Sequence, residues 1–147
     1  RYFSLRHSTP PVSRLIYPVP EKNLKGLGIH ATVDLAGKVK FGPDAVWTGD
    51  RGDFGVEDGE EIRERFWEAV RRYMPSVRRE ELYADYAGVR PKLSGPGEPF
   101  RDFIVECPEG FPGFVNLVGI ESPGLTASLA IAEMTAGLLG VEEVENV

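Results

Sequence analysis

Two runs of alternating apolar and polar residues flank a four-residue loop, and this pattern constrains the fold more than any other feature of the sequence. The runs are LGIHATV and KVKFGPDAVW, and the loop between them, DLAG, ends at Gly37. Glycine readily takes the positive φ that a bulged hairpin requires. Because a hairpin pairs its strands antiparallel, the sequence predicts an antiparallel or mixed sheet and not a doubly wound parallel one.

The other periodic segments extend this sheet and add two long helices. The short run RLIYPVP is closed by prolines, which places it at a sheet edge or a strand end. Three further strand-like segments follow along the chain: ELYADY, RDFIVEC and FVNLVGI. Only the helices predicted over 59–74 and 125–139 interrupt the strands, and this order of elements indicates the α+β class.

The first predicted helix carries its apolar residues on one face. Asp58 and Glu61 resemble a capping box at its start, and Pro75 ends it. Apolar residues recur at helical spacing, and charged residues fill most of the other positions. The apolar positions are Ile62, Phe66, Ala69, Val70 and Tyr73. This pattern predicts one amphipathic helix packed on the sheet.

The composition excludes several classes of partner. The 147 residues carry a formal net charge of -6, and phosphate binding needs clustered Lys and Arg, so no nucleic-acid partner is expected. No apolar run reaches the length that spans a membrane. Cys107, His7 and His30 make no zinc spacing, so no metal is expected. These features favour a cytoplasmic or mitochondrial interior.

The predicted strand over 27–33 has two unlike faces. His30 and Thr32 lie on the polar face, which suits either solvent or the wall of a site. His30 is thus either an ordinary sheet-surface histidine or a group that hydrogen-bonds a ligand or accepts a proton. Tyr17 is either a packing residue or part of the lining of a pocket.

An arginine in the segment YAGVRP is a candidate for binding an anionic ligand. Arg90 stands just after Gly88 and Val89 and just before a proline that rigidifies the turn. A guanidinium held in this way is suited to a bidentate grip on a substrate carboxylate. Local sequence alone favours the other interpretation, an ion pair with Asp85 or Glu98.

The segment VNLVGIESPGLTASLAIAEM has the pattern of a strand, a turn and a helix of small side chains. The strand ends at Gly119 and the helix begins near Leu125, so free amides and the positive end of the helix dipole would favour negative charge there. The glycine fingerprint that normally accompanies nucleotide binding is not evident. GLGIHA matches it in letters, but a β-period run follows it instead of a helix.

Four segments, in this order, resemble the C-terminal part of flavoproteins of the glycine/D-amino-acid oxidase type. They are LIYPVP, GIHATVDLAGKVKFGPDAV, DYAGVRPK and LVGIESPGLTASLAIAEM, and nearly the whole chain takes part. The branch that the chain resembles most is the L-2-hydroxyglutarate dehydrogenase-like one. In this family an N-terminal domain carries the FAD fingerprint, an antiparallel substrate sheet follows, and a final strand–turn–helix completes the FAD domain.

The resemblance implies that two parts of the chain have different functions. Residues 1–110 would be the substrate-binding sheet portion, and residues 111–147 would complete an FAD-binding domain whose N-terminal half is absent. Arg90 would bind a small carboxylate substrate, with His30 and Tyr17 as further substrate-binding residues and His30 as the catalytic base. The FAD site, incomplete in this chain, would include one turn: Gly119, Glu121, Ser122, Pro123, Gly124, Leu125 and Thr126.

One residue departs from the family's pattern. Glu121 stands where many L-2-hydroxyglutarate enzymes have a proline, and a carboxylate beside a flavin would oppose its reduction unless it points away.

The intact protein is expected to oxidise a small 2-hydroxy acid by hydride transfer to FAD, and this chain alone is expected to be inactive. An amino-acid oxidase-type flavoenzyme and a non-catalytic binding module are the alternatives.

Overall fold

The computed structural model describes residues 1–6, 12–19, 28–50, 52 and 54–141, so His7, Gly26 and Leu27 lie outside the described residues. The chain divides into two compact units, Arg1–Val89 and Arg90–Val147, and each is described by itself. Both units combine antiparallel strands with an α-helix, which confirms the predicted α+β class. The assignment of residues 111–147 to an FAD domain stays a prediction, since the division at Arg90 reflects contacts within this chain only.

The first unit is built on a four-stranded antiparallel sheet with the strand order β2-β3-β1-β4. Its strands are β1 (Tyr2–Leu5), β2 (His30–Val33), β3 (Val39–Gly42) and β4 (Leu82–Tyr86). The predicted hairpin is confirmed, because β2 pairs with β3 and the Asp34 amide donates to the Lys38 carbonyl at 3.0 Å. Gly37 takes the expected positive φ of +80° in the loop.

Helix α1 runs over Glu60–Val70 and is shorter than predicted, because residues 71–73 form a turn. The predicted capping box is wrong. Gly59 occupies the N-cap without a side-chain hydrogen bond, and the Asp58 carboxylate binds the Arg63 guanidinium instead. A guanidinium is a stronger partner for a carboxylate than a neutral amide, which explains why the cap does not form.

The hydrophobic core lies between α1 and one face of the sheet. Phe66 is fully buried, and its ring centroid is 4.4 Å from that of Phe3. The other buried apolar residues are Leu5, Ala31, Val39, Phe41, Val70, Met74, Val77 and Leu82. In β1, β2 and β3 the core residues have odd numbers, so the side chains with even numbers lie on the face opposite α1.

The second unit contains a hairpin and a helix. Strand β5 (Ile104–Glu106) pairs antiparallel with β6 (Asn116–Val118), as the two strand-like segments predict. Helix α2 runs over Ser128–Leu138 and begins later than the predicted start near Leu125, because the chain from Pro123 to Ala127 forms turns. As predicted, it stops before Gly140, which has a φ of +68°. No residue of α2 is buried, and no helix among the described residues is long and apolar enough to cross a bilayer.

Replacing Phe66 with alanine should strongly destabilise the first unit. Removing a fully buried phenylalanine costs about 3–5 kcal/mol, because transfer free energy is lost and a cavity remains. Urea denaturation followed by circular dichroism measures the free energy of unfolding. Phe54→Ala is the matched control, since Phe54 is 59% exposed, and its effect should stay within about 0.5 kcal/mol. Similar effects of the two substitutions would contradict this core.

Candidate functional site

An isolated antiparallel bridge places the ring of Tyr17 against His30. Ile16 and Ala31 exchange two backbone hydrogen bonds of 2.9 Å beside β2, which confirms the edge position predicted for this run. The ring centroids of Tyr17 and His30 are 4.0 Å apart. His30 is only 5% exposed and Tyr17 is 59% exposed. His30 is therefore not open to solvent on the sheet surface, because the tyrosine ring packs against it, and its role in a site stays a prediction.

The sheet face opposite α1 also carries a network of polar side chains. Ser4 is fully buried, and its hydroxyl donates to Oδ2 of Asp85 at 2.6 Å. The Lys40 ammonium lies 3.5 Å from Asp85 and 3.6 Å from Asp34. Sequence reasoning missed these groups, although Lys38 and Lys40 alternate with Val39 and therefore lie on one face of the strand.

The network favours the ionised form of Asp85. Burial alone would raise the pKa of this carboxyl group, but the Ser4 hydroxyl and the ammonium groups of Lys38 and Lys40 hold its pKa below the usual range. Two lysines therefore face two aspartates, Asp34 and Asp85, and the charges of these four groups balance. The network is better suited to holding the sheet face together than to attracting an anion.

Arg90 belongs to a second polar cluster, in which Glu121 is the acid. Its guanidinium Nη1 lies 3.6 Å from Oε2 of Glu121, and the Lys92 ammonium donates to Oε1 of the same carboxylate at 2.8 Å. The carboxylate of Glu98, which the sequence suggested as a partner, accepts a hydrogen bond from the Gly95 amide instead. The Glu121 carboxylate is thus bound by two cations of its own unit.

Two glycines shape the turn that the sequence assigns to a ligand. Gly119 has a left-handed φ of +71°, and a Cβ there would collide with the Leu93 side chain. A Cβ on Gly124 would lie 2.5 Å from Cγ2 of Ile120 and 2.6 Å from the carbonyl oxygen of Glu121. Packing within the turn itself therefore requires a glycine at position 124.

The residues at the end of the same turn are exposed. Leu125 is 92% exposed, and Ser122, Pro123 and Thr126 are exposed as well. Within residues 54–141, no backbone oxygen accepts a hydrogen bond from the amide of Leu125 or Thr126. The first turn of α2 contains no acidic residue. These features fit an electron-rich group, such as the pyrimidine edge of a flavin, at the positive end of the helix dipole.

The predicted site residues form two groups. Tyr17 and His30 meet in the first unit, whereas Arg90 and Glu121 meet in the second unit. Lys92 is the member of the second group that sequence reasoning missed, and the signal for it was a second cation just beyond Pro91.

Among the residues that the structure describes, no cluster of three or more His, Cys, Asp or Glu side chains could hold a metal ion.

The chain matches a family model described as "FAD dependent oxidoreductase" over residues 1–138. It is 47% identical over 145 residues to the mitochondrial L-2-hydroxyglutarate dehydrogenase of Arabidopsis thaliana, which covers 92% of this chain and 30% of that protein. Identity to the mitochondrial L-2-hydroxyglutarate dehydrogenase of Dictyostelium discoideum is 30% over 149 residues, covering 80% of this chain and 33% of that protein.

A glycerol 3-phosphate oxidase of Mycoplasma genitalium is also similar. It is 28% identical over 131 residues, which covers 89% of this chain and 32% of that protein. The chain thus spans about a third of the length of these three relatives.

A methyl group at position 124 should destabilise the second unit. Gly124→Ala forces the turn to shift away from Ile120, and overpacking of this kind costs about 1–3 kcal/mol. Thermal unfolding followed by circular dichroism measures the loss. Gly137→Ala is the matched control, since its Cβ would meet nothing within 4 Å and alanine favours a helix by about 1 kcal/mol. If both variants unfold at the same temperature, Gly124 has no special role in the turn.

Proposed function

This chain belongs to the FAD dependent oxidoreductase family, and we propose that it is the C-terminal, substrate-binding part of an enzyme that oxidises a small 2-hydroxy acid. L-2-hydroxyglutarate is the best candidate substrate, because a relative with 47% identity carries that name. The structural observation that carries the proposal is the half-exposed side chain of Arg90, whose guanidinium shares one carboxylate with Lys92. Two relatives are mitochondrial by name, and we place the enzyme in mitochondria or the cytoplasm.

In the second unit, Arg90 binds the substrate carboxylate. Its side chain is 46% exposed, and the 3.6 Å between Nη1 and Glu121 is longer than a hydrogen bond, so this acid does not saturate the guanidinium. A guanidinium can donate two parallel hydrogen bonds to a carboxylate, which fixes both the position and the orientation of the substrate.

In the first unit, His30 accepts the hydroxyl proton while the hydride leaves the adjacent carbon atom. FAD, when bound, is the acceptor of that hydride. The burial of His30 against the Tyr17 ring supports this role, because a base that is shielded from water exchanges its proton mainly with the group that reaches it. The exposed Tyr17 ring offers an apolar surface to the carbon chain of the substrate.

The turn and α2 complete the FAD-binding domain. The amides of Leu125 and Thr126, which donate to no backbone oxygen within residues 54–141, would hold the flavin edge, where FAD accumulates negative charge on reduction. The Glu121 carboxylate is bound by Arg90 and Lys92, and these two cations offset its unfavourable effect on that reduction. The exposed apolar residues of α2 support contacts with sequence beyond this chain, which spans 30% of its plant relative.

The test is reduction of the flavin by defined substrates in the full-length protein that contains this chain. L-2-hydroxyglutarate should bleach the flavin absorbance during anaerobic mixing, whereas L-glutamate, with an ammonium in place of the hydroxyl group, should not. Glycerol 3-phosphate forms a third arm, because a relative with 28% identity has that name. If only L-glutamate or only glycerol 3-phosphate bleached the flavin, the substrate would be an amino acid or a glycerol phosphate, respectively. A full-length protein that contains no flavin would instead be a non-catalytic binding module.

Arg90→Lys should damage substrate use far more than flavin content. Lysine keeps the charge but loses the two-pronged geometry, and a hydrogen bond to a charged group contributes about 1.5–3 kcal/mol. We therefore expect kcat/KM to fall about ten- to a hundredfold in steady-state assays. Lys92→Arg, which keeps a cation on Glu121, is the control and should change kcat/KM little. A variant that loses flavin yet turns over normally after reconstitution would make Arg90 a structural residue.

A further inference from the structure

Glu121 is held between two cations in the second unit. Its Oε1 accepts a hydrogen bond of 2.8 Å from the Lys92 ammonium, and its Oε2 lies 3.6 Å from Nη1 of Arg90. The Glu121 side chain is 11% exposed, whereas those of Arg90 and Lys92 are 46% and 42% exposed. The acid is therefore the inner member of the cluster, and the two cations are the members that solvent and ligands reach.

One hydrogen bond holds the backbone of Glu121 and another holds its carboxylate. The Glu121 carbonyl accepts a hydrogen bond from the Gly124 amide, and position 124 has no room for a side chain that would displace that carbonyl. At the other end of the residue, the bond to Lys92 holds the carboxylate. Because the turn positions the backbone of Glu121 and Lys92 binds its carboxylate, the negative charge stays beside Arg90 when another anion arrives.

We propose that Glu121 is a positioning residue that limits how tightly Arg90 holds carboxylates, and that Lys92 keeps Glu121 in place. The inference rests on the proposed role of Arg90 in binding substrate. A 2-hydroxy acid and the 2-oxo acid formed from it carry the same carboxylate, so a tighter Arg90 would also retain the product. Glu121 lowers both affinities together, which favours release of the product.

The charge of the cluster gives the sign of each substitution. Arg90 and Lys92 contribute two positive charges and Glu121 one negative charge, so the net charge is +1. Glu121→Gln raises the net charge to +2, Lys92→Met lowers it to 0, and the double substitution restores +1. A unit charge about 4 Å from a carboxylate changes its affinity on the order of fivefold even at the dielectric constant of water.

The experiment uses 2-oxoglutarate as the probe and the FAD-loaded full-length protein. Isothermal titration calorimetry gives Kd for the wild type and the three variants at low and high salt. We expect Glu121→Gln to lower Kd about fivefold, Lys92→Met to raise it about fivefold, and the double variant to lie close to the wild type. These differences should shrink in high salt, because both cations are partly exposed.

Steady-state kinetics provides a second readout. Glu121→Gln should lower KM for L-2-hydroxyglutarate in parallel with Kd for 2-oxoglutarate, and should lower kcat because the product leaves more slowly. A structural role for Glu121 would instead raise KM. Thermal unfolding of each variant shows that the comparison is made between folded proteins.

Three results would overturn the inference: weaker binding in Glu121→Gln, a double variant that resembles either single variant, and no binding of 2-oxoglutarate to any form. The first two would mean that Glu121 orients Arg90 instead of opposing its ligand. The proposed oxidation can fail independently. If Kd follows the expected order but no 2-hydroxy acid reduces the flavin, the substrate assignment is wrong and the role of Glu121 stands.

Discussion

The packing of α1 on one face of the four-stranded sheet is the interaction on which the first unit depends. Phe66 and Phe3 meet at its centre, and the odd-numbered residues of β1 to β3 supply most of the remaining apolar surface. Because neighbouring residues of a strand point to opposite faces, this contact sends the intervening side chains to the other face. Ser4, His30 and Lys40 lie there as a consequence of the core.

The elements that sequence reasoning predicted correctly are those that depend on neighbouring residues. The hairpin between β2 and β3 follows from alternation and from one glycine with a positive φ, both of which are local. The start of α1 was predicted for the wrong reason. Asp58 has the right residue type and spacing for a cap, but Arg63 lies on the following turn and competes for the same carboxylate. Side-chain competition of this kind is not part of a capping pattern.

The candidate site was less predictable, because its contacts join distant parts of the chain. Burial of His30 depends on the bridge between Ile16 and Ala31, which no local pattern specifies. Lys92 and Glu121 are 29 residues apart, so the acid that pairs with Arg90 could not be chosen from its neighbours. The family resemblance singled out Arg90 and the turn, whereas the contacts of Arg90 and Lys92 with Glu121 could be identified only from the structure.

Helix α2 is stabilised less by packing within its own unit than α1 is. It has 11 residues and buries none of them within its own unit, with Leu129 79% exposed and Met134 54% exposed. Its contacts with β5 leave most of its residues exposed, and a helix of this length is marginal in water without packing, so its amide hydrogens should exchange through local openings that cost less than global unfolding. Any partner that covers these residues adds its binding free energy to the stability of the helix. Folding of α2 and assembly with that partner are then one coupled equilibrium, and the exchange rate of this segment measures how complete the assembly is.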